Sequence, residues 1–347
     1  MRAPRPVVAR PTPNRADIER YGDIDPIHAR LFAMRGVGSA EELDYGLSRL
    51  APVTALEHID EAAALVIEKR EQRIIVVGDF DVDGATSTAL VLRCLKEFGF
   101  TDVVFLVPNR FDYGYGLSRE IVRVAAERAP GLLITVDNGV SSIDGVDEAN
   151  SLGIPVLVTD HHLPGETLPD AAVMLNPNLT GSRFPSRNLA GVGVAFYLMA
   201  RVGRMLEEQG MSGAARIPAK YLDLVALGTV ADVVPLDHNN RVLVEQGLLR
   251  IRAGQCVPGI DALLQQAGRS RARCISTDLG FAVGPRINAA GRLEDIGVGI
   301  ECLLTDSFDT AASLARALDQ INRERRDIEA GMRDQAFAVV DALGEQR

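Results

Sequence analysis

The sequence lacks several features that would assign it to a structural class at once. No run of about 18 or more apolar residues occurs, which excludes an ordinary transmembrane helix. The basic N-terminus has no apolar core of the kind that a secretory signal requires. The four cysteines are scattered without C-x-x-C spacing. A disulfide framework or a structural zinc site is therefore not expected, and a reducing cytoplasm fits.

Positive charge is also in short supply. The chain of 347 residues has 37 Lys and Arg against 47 Asp and Glu, a formal net charge of −10. Proteins that bind nucleic acid are usually basic on at least one face, so this balance argues weakly against that class. Carboxylates gathered in a metal site would raise the acidic count without changing the rest of the surface, so net charge alone does not decide.

The most informative stretch is IIVVGDFDVDG at residues 74–84. Its apolar start predicts a buried parallel strand. Asp79, Asp81 and Asp83 follow at alternating positions, so they share one side of the chain if the extended conformation persists. Like charges this close need a strongly cationic neighbour, and Mg²⁺ or Mn²⁺ suits hard oxygen ligands. The alternative is a solvated acidic turn between a strand and a helix.

Strands and helices alternate along the chain with short connections. We predict strands at 73–78, 102–107, 132–136 and 155–158. We predict helices within 26–70 and at 85–98, 118–128, 142–152, 191–199, 219–230 and 307–343. This order predicts an α/β fold in which a parallel sheet is flanked by helices, followed by helical segments and a long C-terminal connector helix.

Polar residues follow the later strands as well. Asp137 follows the third strand, and Asp160, His161 and His162 follow the fourth. Because the carboxyl ends of parallel strands meet at one edge of a sheet, we expect a single site there, together with the aspartates after the first strand. Asp137 alone could cap a helix, and the histidines could be loop or core residues. Asp232 is either a turn residue or a further ligand.

Two other segments have the composition of contacts to an anion or to aromatic rings. Residues 108–116, PNRFDYGYG, form a loop rich in glycine and aromatic residues. Residues 284–292, GPRINAAGR, combine two glycines, two arginines and an asparagine. A flexible backbone with planar guanidinium groups suits phosphate. A surface loop with solvated arginines is the alternative for this segment.

The motifs at 78–84, 136–139, 159–162 and 229–232 resemble the four ordered motifs of the DHH phosphoesterases. Segments 109–110, 176–178, 189–193 and 284–292 are similar to those of the single-strand-specific 5′→3′ DNA exonucleases within that family. The resemblance runs from about residue 25 to the end of the chain. It implies hydrolysis of phosphodiester bonds in single-stranded DNA, as in DNA repair and recombination.

The resemblance also implies two Mn²⁺ or Mg²⁺ ions and a role for each motif residue. The expected metal ligands are Asp81, Asp83, Asp137, His161 and Asp232, with Asp79 as a ligand or support. Asp137 is expected to bridge both ions. His162 is expected to meet the scissile phosphate, Asp160 to orient a histidine, and Arg286 to oppose charge on the phosphorus. The expected substrate contacts are Arg110, Tyr113, Tyr115, Asn288 and Arg292, with a tyrosine stacked on a terminal base.

The domain organisation implied in this way has three parts. These are a poorly ordered N-terminus at 1–25, a DHH catalytic domain at 26–305 and a connector helix at 306–347. In the family that helix leads to a second, DHH-associated domain, which we do not find in this sequence. Single-stranded DNA is the expected partner, together with a single-strand-binding protein or a repair helicase.

Two other functions stay open at this stage. One is a small-substrate phosphodiesterase that degrades short oligonucleotides or cyclic dinucleotides, or a pyrophosphatase relative. The acidic net charge favours this function slightly, whereas the segments at 109–110 and 284–292 argue against it. The other is a non-catalytic DHH-fold protein of a replication or repair assembly. The full set of acidic and histidine positions argues against that reading.

Overall fold

The computed structural model describes residues 11–107 and 116–344. Five parallel strands form one sheet in the order β2–β1–β3–β4–β5. They are β1 (Ile74–Gly78), β2 (Val103–Leu106), β3 (Leu132–Val136), β4 (Val156–Thr159) and β5 (Val173–Leu175). The four predicted strands are confirmed to within one residue at each end. The short β5 was not predicted.

Helices make up most of the remaining described chain. They are α1 (Arg15–Glu19), α2 (Pro26–Ala33), α3 (Ile59–Glu68), α4 (Val82–Glu97), α5 (Arg119–Ala126), α6 (Ile143–Ser151), α7 (Gly191–Glu208), α8 (Leu222–Ala231), α9 (His238–Arg252), α10 (Pro258–Gln266), α11 (Gly284–Leu293), α12 (Gly297–Leu304) and α13 (Phe308–Gly344). A π-helical turn, Leu279–Val283, precedes α11. The predicted α/β class is confirmed.

The sheet is covered on both faces, which explains why β1 and β3 are fully buried and almost entirely apolar, with Thr135 as the exception. Successive side chains of a strand point to opposite faces. Ile75 and Val77 therefore pack with the residues of α5 and α6. Ile74 and Val76 pack in the larger core, which includes residues of α3, α4, α7 and α8.

The chain reverses its direction of travel across the sheet between β1 and β3. From β1 it runs outward to β2, then returns past β1 to β3 and continues to β4 and β5. In open α/β sheets such a switch point leaves a crevice at the carboxyl ends of the two strands. The polar residues that follow β1 and β3 therefore lie where this architecture binds its ligands.

The N-terminal part differs from the expectation in detail. Residues 26–70 contain two helices, α2 and α3, joined by short helical turns, rather than continuous helix. Gly36, with φ of 76°, follows the end of α2, and Pro52 interrupts the segment again. Within the segment 1–25, the described residues from 11 onward include α1 and the buried Tyr21.

Helix α13 confirms the predicted long C-terminal helix. Its 37 residues correspond to about 55 Å at 1.5 Å per residue. The first half is packed on α10 and α11 through its apolar stripe, in which Ala315, Leu318 and Ile321 are buried. The second half exposes Ile328 and Met332. Among the described residues, no helix combines the length and apolar character needed to cross a membrane.

Candidate metal centre

The three aspartates after β1 lie in a tight turn. Helix α4 begins at Val82, so Asp81 is its N-cap and accepts a hydrogen bond from the Gly84 N–H at 3.0 Å. Asp83 already belongs to the first helical turn. The extended conformation therefore does not persist through the three aspartates, because an aspartate at the N-cap supplies the acceptor that starts the helix. The three side chains are gathered by this turn instead.

The carboxylate of Asp83 is fixed by the start of α7. Its Oδ2 accepts a hydrogen bond from the Gly191 N–H at 2.6 Å, and its Oδ1 accepts one from the Val192 N–H at 2.9 Å. Amide groups at a helix N-terminus have no partner within the helix and carry partial positive charge. They therefore offset part of the cost of burying this carboxylate.

Asp137 lies directly after β3 in a strained backbone position. Its φ is 61°, in the left-handed region, and only 2% of its surface is exposed. Residues held in such conformations are frequent at functional sites. The side chain packs against the backbone of Gly191, where an added Cβ would lie 2.6 Å from both Cβ and Oδ1 of Asp137.

Two glycines thus complete the site, and local sequence patterns gave no reason to single them out. Gly191 makes room for Asp137. At Gly228, an added Cβ would lie 2.3 Å from Thr86 Oγ1 and 2.8 Å from Asp83 Oδ1. Contacts between distant segments leave no local periodicity in the sequence. The only indication that these glycines matter was the match of residues 189–193 to a family motif.

His161 brings the segments together. Its Nε2 lies 3.1 Å from Asp137 Oδ1, 3.6 Å from Asp232 Oδ2 and 3.9 Å from Asp83 Oδ2. Asp232 is the C-cap of α8, so it is both a turn residue and a member of this cluster. The convergence of residues from four separate segments agrees with the single site expected from the sequence.

Three buried atoms of this cluster have no hydrogen-bond partner among the described residues: Asp137 Oδ1, His161 Nε2 and Asp232 Oδ2. Leaving a buried polar group unpaired costs about 1–3 kcal/mol, and such groups are rare. Carboxylate oxygens and an imidazole nitrogen that face one another are a suitable donor set for a divalent cation. The residues present therefore fit a metal.

The ligand atoms divide into two groups that share no residue. Asp83, His161 and Asp232 form one group, and Asp79, Asp81 and Asp137 form the other. Within each group, one ligand atom per residue lies within 4.8 Å of the others. Asp137 also groups with His161 and His162. The arrangement therefore offers two separate donor sets, and Asp137 belongs to one of them while lying 3.1 Å from His161 of the other.

Burial and mutual repulsion shift the pKa values of these residues. Burial, with the neighbouring Asp232, raises the pKa of Asp83 well above its ordinary value, and burial with Asp83 does the same for Asp137. Burial and then Asp81 raise the pKa of Asp79 to about 7. Burial lowers the pKa of His161, which favours the neutral imidazole that binds metals.

Asp160 orients His162 rather than His161. Its Oδ1 lies 2.7 Å from Nδ1 of His162, and its Oδ2 accepts the Val140 N–H at 2.8 Å. The hydrogen bond that the His162 ring donates to the Asp160 carboxylate raises the pKa of His162 to about 9. With this pKa, His162 of the metal-free chain is a cationic imidazolium at neutral pH. Its side chain is half-buried.

The segment 284–292 is not a loop. It forms α11, whose Asn288 accepts a hydrogen bond from the Val82 N–H at 3.0 Å. An added Cβ at Gly291 would lie 1.9 Å from the carbonyl oxygen of Phe80. The asparagine and glycine therefore allow α11 to pack closely onto the aspartate turn, and the predicted flexible backbone is wrong. The side-chain oxygen of Asn288 is engaged in this contact, and the predicted contact of Asn288 with substrate stays a prediction.

The two arginines of α11 differ in their surroundings. Arg286 forms an ion pair with Asp319 of α13, with Nη2 and Oδ1 2.8 Å apart, and also donates to the Ala282 carbonyl. Protein groups thus engage both terminal nitrogens, and the contact of Arg286 with phosphate stays a prediction. Arg292 is exposed. Its role in substrate binding also stays a prediction.

The aromatic loop after β2 cannot be related to this geometry. Arg110, Tyr113 and Tyr115 lie outside the described residues. Their expected contacts with a terminal base and a phosphate remain predictions.

We expect the metal-free chain to lose stability as the pH rises from about 4 to about 7. A carboxyl with a raised pKa stays protonated in the folded chain after the unfolded chain has ionised. For Asp79 this window runs from 3.8 to about 7. The contribution of this carboxyl to the free energy of unfolding is therefore greatest at the acidic end of this pH range and falls as the pH rises. Urea unfolding in EDTA across this range measures the free energy of unfolding at each pH. Asp79→Asn should raise this free energy at neutral pH and make it less dependent on pH. The same profile for both chains would contradict the raised pKa.

The chain was compared with known proteins. Residues 73–229 match the family model "DHH family, N-terminal domain". The chain is 51% identical to the single-stranded-DNA-specific exonuclease RecJ of Escherichia coli (strain K12), over 94% of this chain and 57% of that protein. The chain therefore spans little more than half the length of this curated relative.

Two solved structures have the same fold. A crystal structure of exonuclease RecJ bound to manganese is 38% identical, with a TM-score of 0.71, over 80% of this chain and 68% of that one. A crystal structure of RecJ from Thermus thermophilus in complex with Mn²⁺ is 33% identical, with a TM-score of 0.79, over 92% of this chain and 46% of that one. With its motifs clustered at the switch point of the sheet, the chain belongs to the DHH family, in the branch represented by RecJ.

Proposed function

We propose that this chain is the catalytic part of a metal-dependent exonuclease that hydrolyses single-stranded DNA in the 5′→3′ direction, in DNA repair and recombination. The observation that carries the proposal is the convergence of Asp137 Oδ1, His161 Nε2 and Asp232 Oδ2, three buried atoms without a hydrogen-bond partner among the described residues. The identity to single-strand-specific exonucleases supports the substrate. The division into a catalytic domain at 26–305 and a connector helix at 306–347 is part of this proposal.

The proposed cofactor is a pair of Mn²⁺ or Mg²⁺ ions. Asp83, His161 and Asp232 would hold one ion, and Asp79, Asp81 and Asp137 the other, with Asp137 as the shared ligand. When bound, such ions polarise phosphoryl oxygens and lower the pKa of a coordinated water. Neutral His161 and the fixed carboxylate of Asp83 are prepared for this role before an ion arrives.

The protein's own part in the reaction falls to His162 and Asp160. As an imidazolium, His162 can donate a hydrogen bond to a non-bridging oxygen of the scissile phosphate. Asp160 fixes the ring orientation through Nδ1. Charge on the phosphate increases toward the transition state, so this hydrogen bond strengthens as the reaction proceeds.

The remaining assignments concern the setting of the reaction. We propose a single-strand-binding protein or a repair helicase as protein partners, which would supply the unpaired strand. We also propose a cytoplasmic location, in keeping with a DNA substrate and with four cysteines that form no disulfide.

The test compares three substrates with and without Mn²⁺: a long 5′-phosphorylated single strand, the same sequence as a blunt duplex, and a dinucleotide. We expect metal-dependent release of mononucleotides from the 5′ end of the single strand and little cleavage of the duplex. Faster cleavage of the dinucleotide would favour the small-substrate phosphodiesterase. Calorimetric titration with Mn²⁺ gives an independent readout, and failure to bind any ion would contradict the proposal.

A further inference from the structure

A small groove of about 200 Å³ lies beside Asp232, on a part of the surface that the proposed chemistry does not use. One wall comes from the end of α8 and the residues after Asp232, including Thr229, Val233 and Leu236. The other wall comes from the π-helical turn and includes Phe281. The groove therefore begins within a few residues of a candidate metal ligand.

The walls of this groove expose large apolar side chains. Val233 is 83% exposed and Phe281 is 79% exposed. Among the described residues, the lining contains no charged side chain. A phosphate is thus excluded as the ligand, because phosphate sites need cationic or amide donors. An exposed aromatic face instead suits another flat, apolar ring.

The groove also contains a polar group without a partner. Thr229 is fully buried, and its Oγ1 has no hydrogen-bond partner among the described residues. A hydroxyl can both donate and accept a hydrogen bond. Because Thr229 has no exposed surface, the hydroxyls that a ligand can reach are those of Ser276 and Thr277, which also line the groove. A ligand with a polar edge and an apolar face could bond to one of them and cover Phe281.

The backbone around the groove is held in uncommon conformations. Val233 has φ of 66°, although β-branched residues rarely enter the left-handed region. The π-helical turn that carries Phe281 packs against α8, where an added Cβ at Gly280 would lie 3.1 Å from Val230 Cγ1. π-Helical turns and strained residues are frequent at functional sites. Both walls therefore have features that are common at functional sites.

We propose that this groove binds one nucleobase of the single-stranded substrate, with its ring stacked on Phe281 and its edge toward Ser276 and Thr277. The proposal rests on the proposed function, because a strand held at the metal centre must pass over neighbouring surface. Stacking on one aromatic ring and bonding to one hydroxyl accept any base, which suits an enzyme that degrades strands without regard to sequence.

The experiment measures binding rather than cleavage. Fluorescence anisotropy in EDTA follows a 5′-phosphorylated single strand of about 12 nucleotides, a length within the usual range for single-strand sites. Phe281→Ala should weaken binding about 5- to 150-fold, which corresponds to ~1–3 kcal/mol for one stacked base. Phe281→Tyr should restore it. The control is Phe337→Ala, which removes a phenylalanine that is 61% exposed on the far half of α13 and should leave binding unchanged.

A scan with single abasic nucleotides identifies the base concerned. One abasic position should weaken binding to the wild-type chain and have no effect on Phe281→Ala. The inference is overturned if Phe281→Ala binds like wild type, if no abasic position removes the difference, or if the wild-type chain does not bind the strand. Normal strand binding by Phe281→Ala, together with intact metal-dependent cleavage, would contradict base binding in the groove but not the proposed nuclease function. Base-dependent binding without any cleavage would contradict the proposed nuclease function but support base binding in the groove.

Discussion

Replacing Asp137 by alanine should abolish the proposed metal-dependent cleavage while leaving the chain folded. Asp137 groups with Asp79 and Asp81 on one side and with His161 on the other, so its loss disturbs both ion positions. We expect the rate to fall by at least ~10³-fold, equivalent to ~4 kcal/mol of transition-state stabilisation. Cleavage of a 5′-phosphorylated single strand in Mn²⁺ measures this loss.

The same substitution should leave the melting temperature in EDTA unchanged or raise it. The reason is that removing Asp137 relieves a buried carboxyl whose pKa is raised by burial and by Asp83. The matched control is Asp223→Asn. Asp223 is also buried, and burial raises its pKa to about 6, but its Oδ2 accepts the Val257 N–H away from the cluster. This variant should keep its activity. More than about one tenth of wild-type cleavage in Asp137→Ala would contradict the bridging role, because it would limit the loss to ~1.4 kcal/mol.

Gly191→Ala should greatly reduce the proposed cleavage although no candidate ligand is changed. Alanine is favoured over glycine within a helix by about 1 kcal/mol, so propensity alone predicts stabilisation. The new Cβ would lie 2.6 Å from Cβ and Oδ1 of Asp137, and overpacking of this kind costs about 1–3 kcal/mol. The clash should therefore dominate. A ligand displaced by about 1 Å loses roughly 10²-fold in rate.

The control for this variant lies two residues away. At Gly193, the three atoms nearest to an added Cβ all belong to the side chain of Leu189, with Cδ2 at 2.9 Å, and none belongs to a candidate ligand. Gly193→Ala should therefore cleave and bind Mn²⁺ nearly as well as wild type. Calorimetry with Mn²⁺ on both variants separates a lost ion from a slow reaction. If Gly191→Ala binds Mn²⁺ and cleaves like wild type, Asp137 does not depend on this contact.

The sheet and the rim of the site were predictable because they rest on short-range patterns. Continuous apolar runs mark strands that are buried on both faces, and parallel strands place their carboxyl ends at one edge. Asp137 and His161 follow β3 and β4 directly, so alternation of strands and helices was enough to bring them together. The sequence left two roles open for Asp232, a turn residue or a metal ligand. The direction of a side chain at a helix end depends on how the helix packs, which the local sequence does not give.

The parts that were not predicted depend on contacts between distant segments. Asp83 is positioned by amides at Gly191 and Val192, more than 100 residues away along the chain. Segment 284–292 was expected to have a flexible backbone because of its glycines. Gly291 in fact permits close contact with Phe80 within a helix. Composition reports that a glycine is present but not whether it serves a turn or a close approach.

Design methods that score sequences by the stability of the metal-free fold alone would replace the aspartates of this centre. Apolar or amide residues at positions 79, 83 and 137 would remove buried groups that resist ionisation, so stabilising substitutions should be easy to find there. Laboratory selection for heat tolerance without Mn²⁺ would favour the same substitutions. Its product would be a stable fold that has lost its candidate metal ligands. A thermostable derivative that keeps its ligands must therefore be selected with metal present, or with these three positions held fixed.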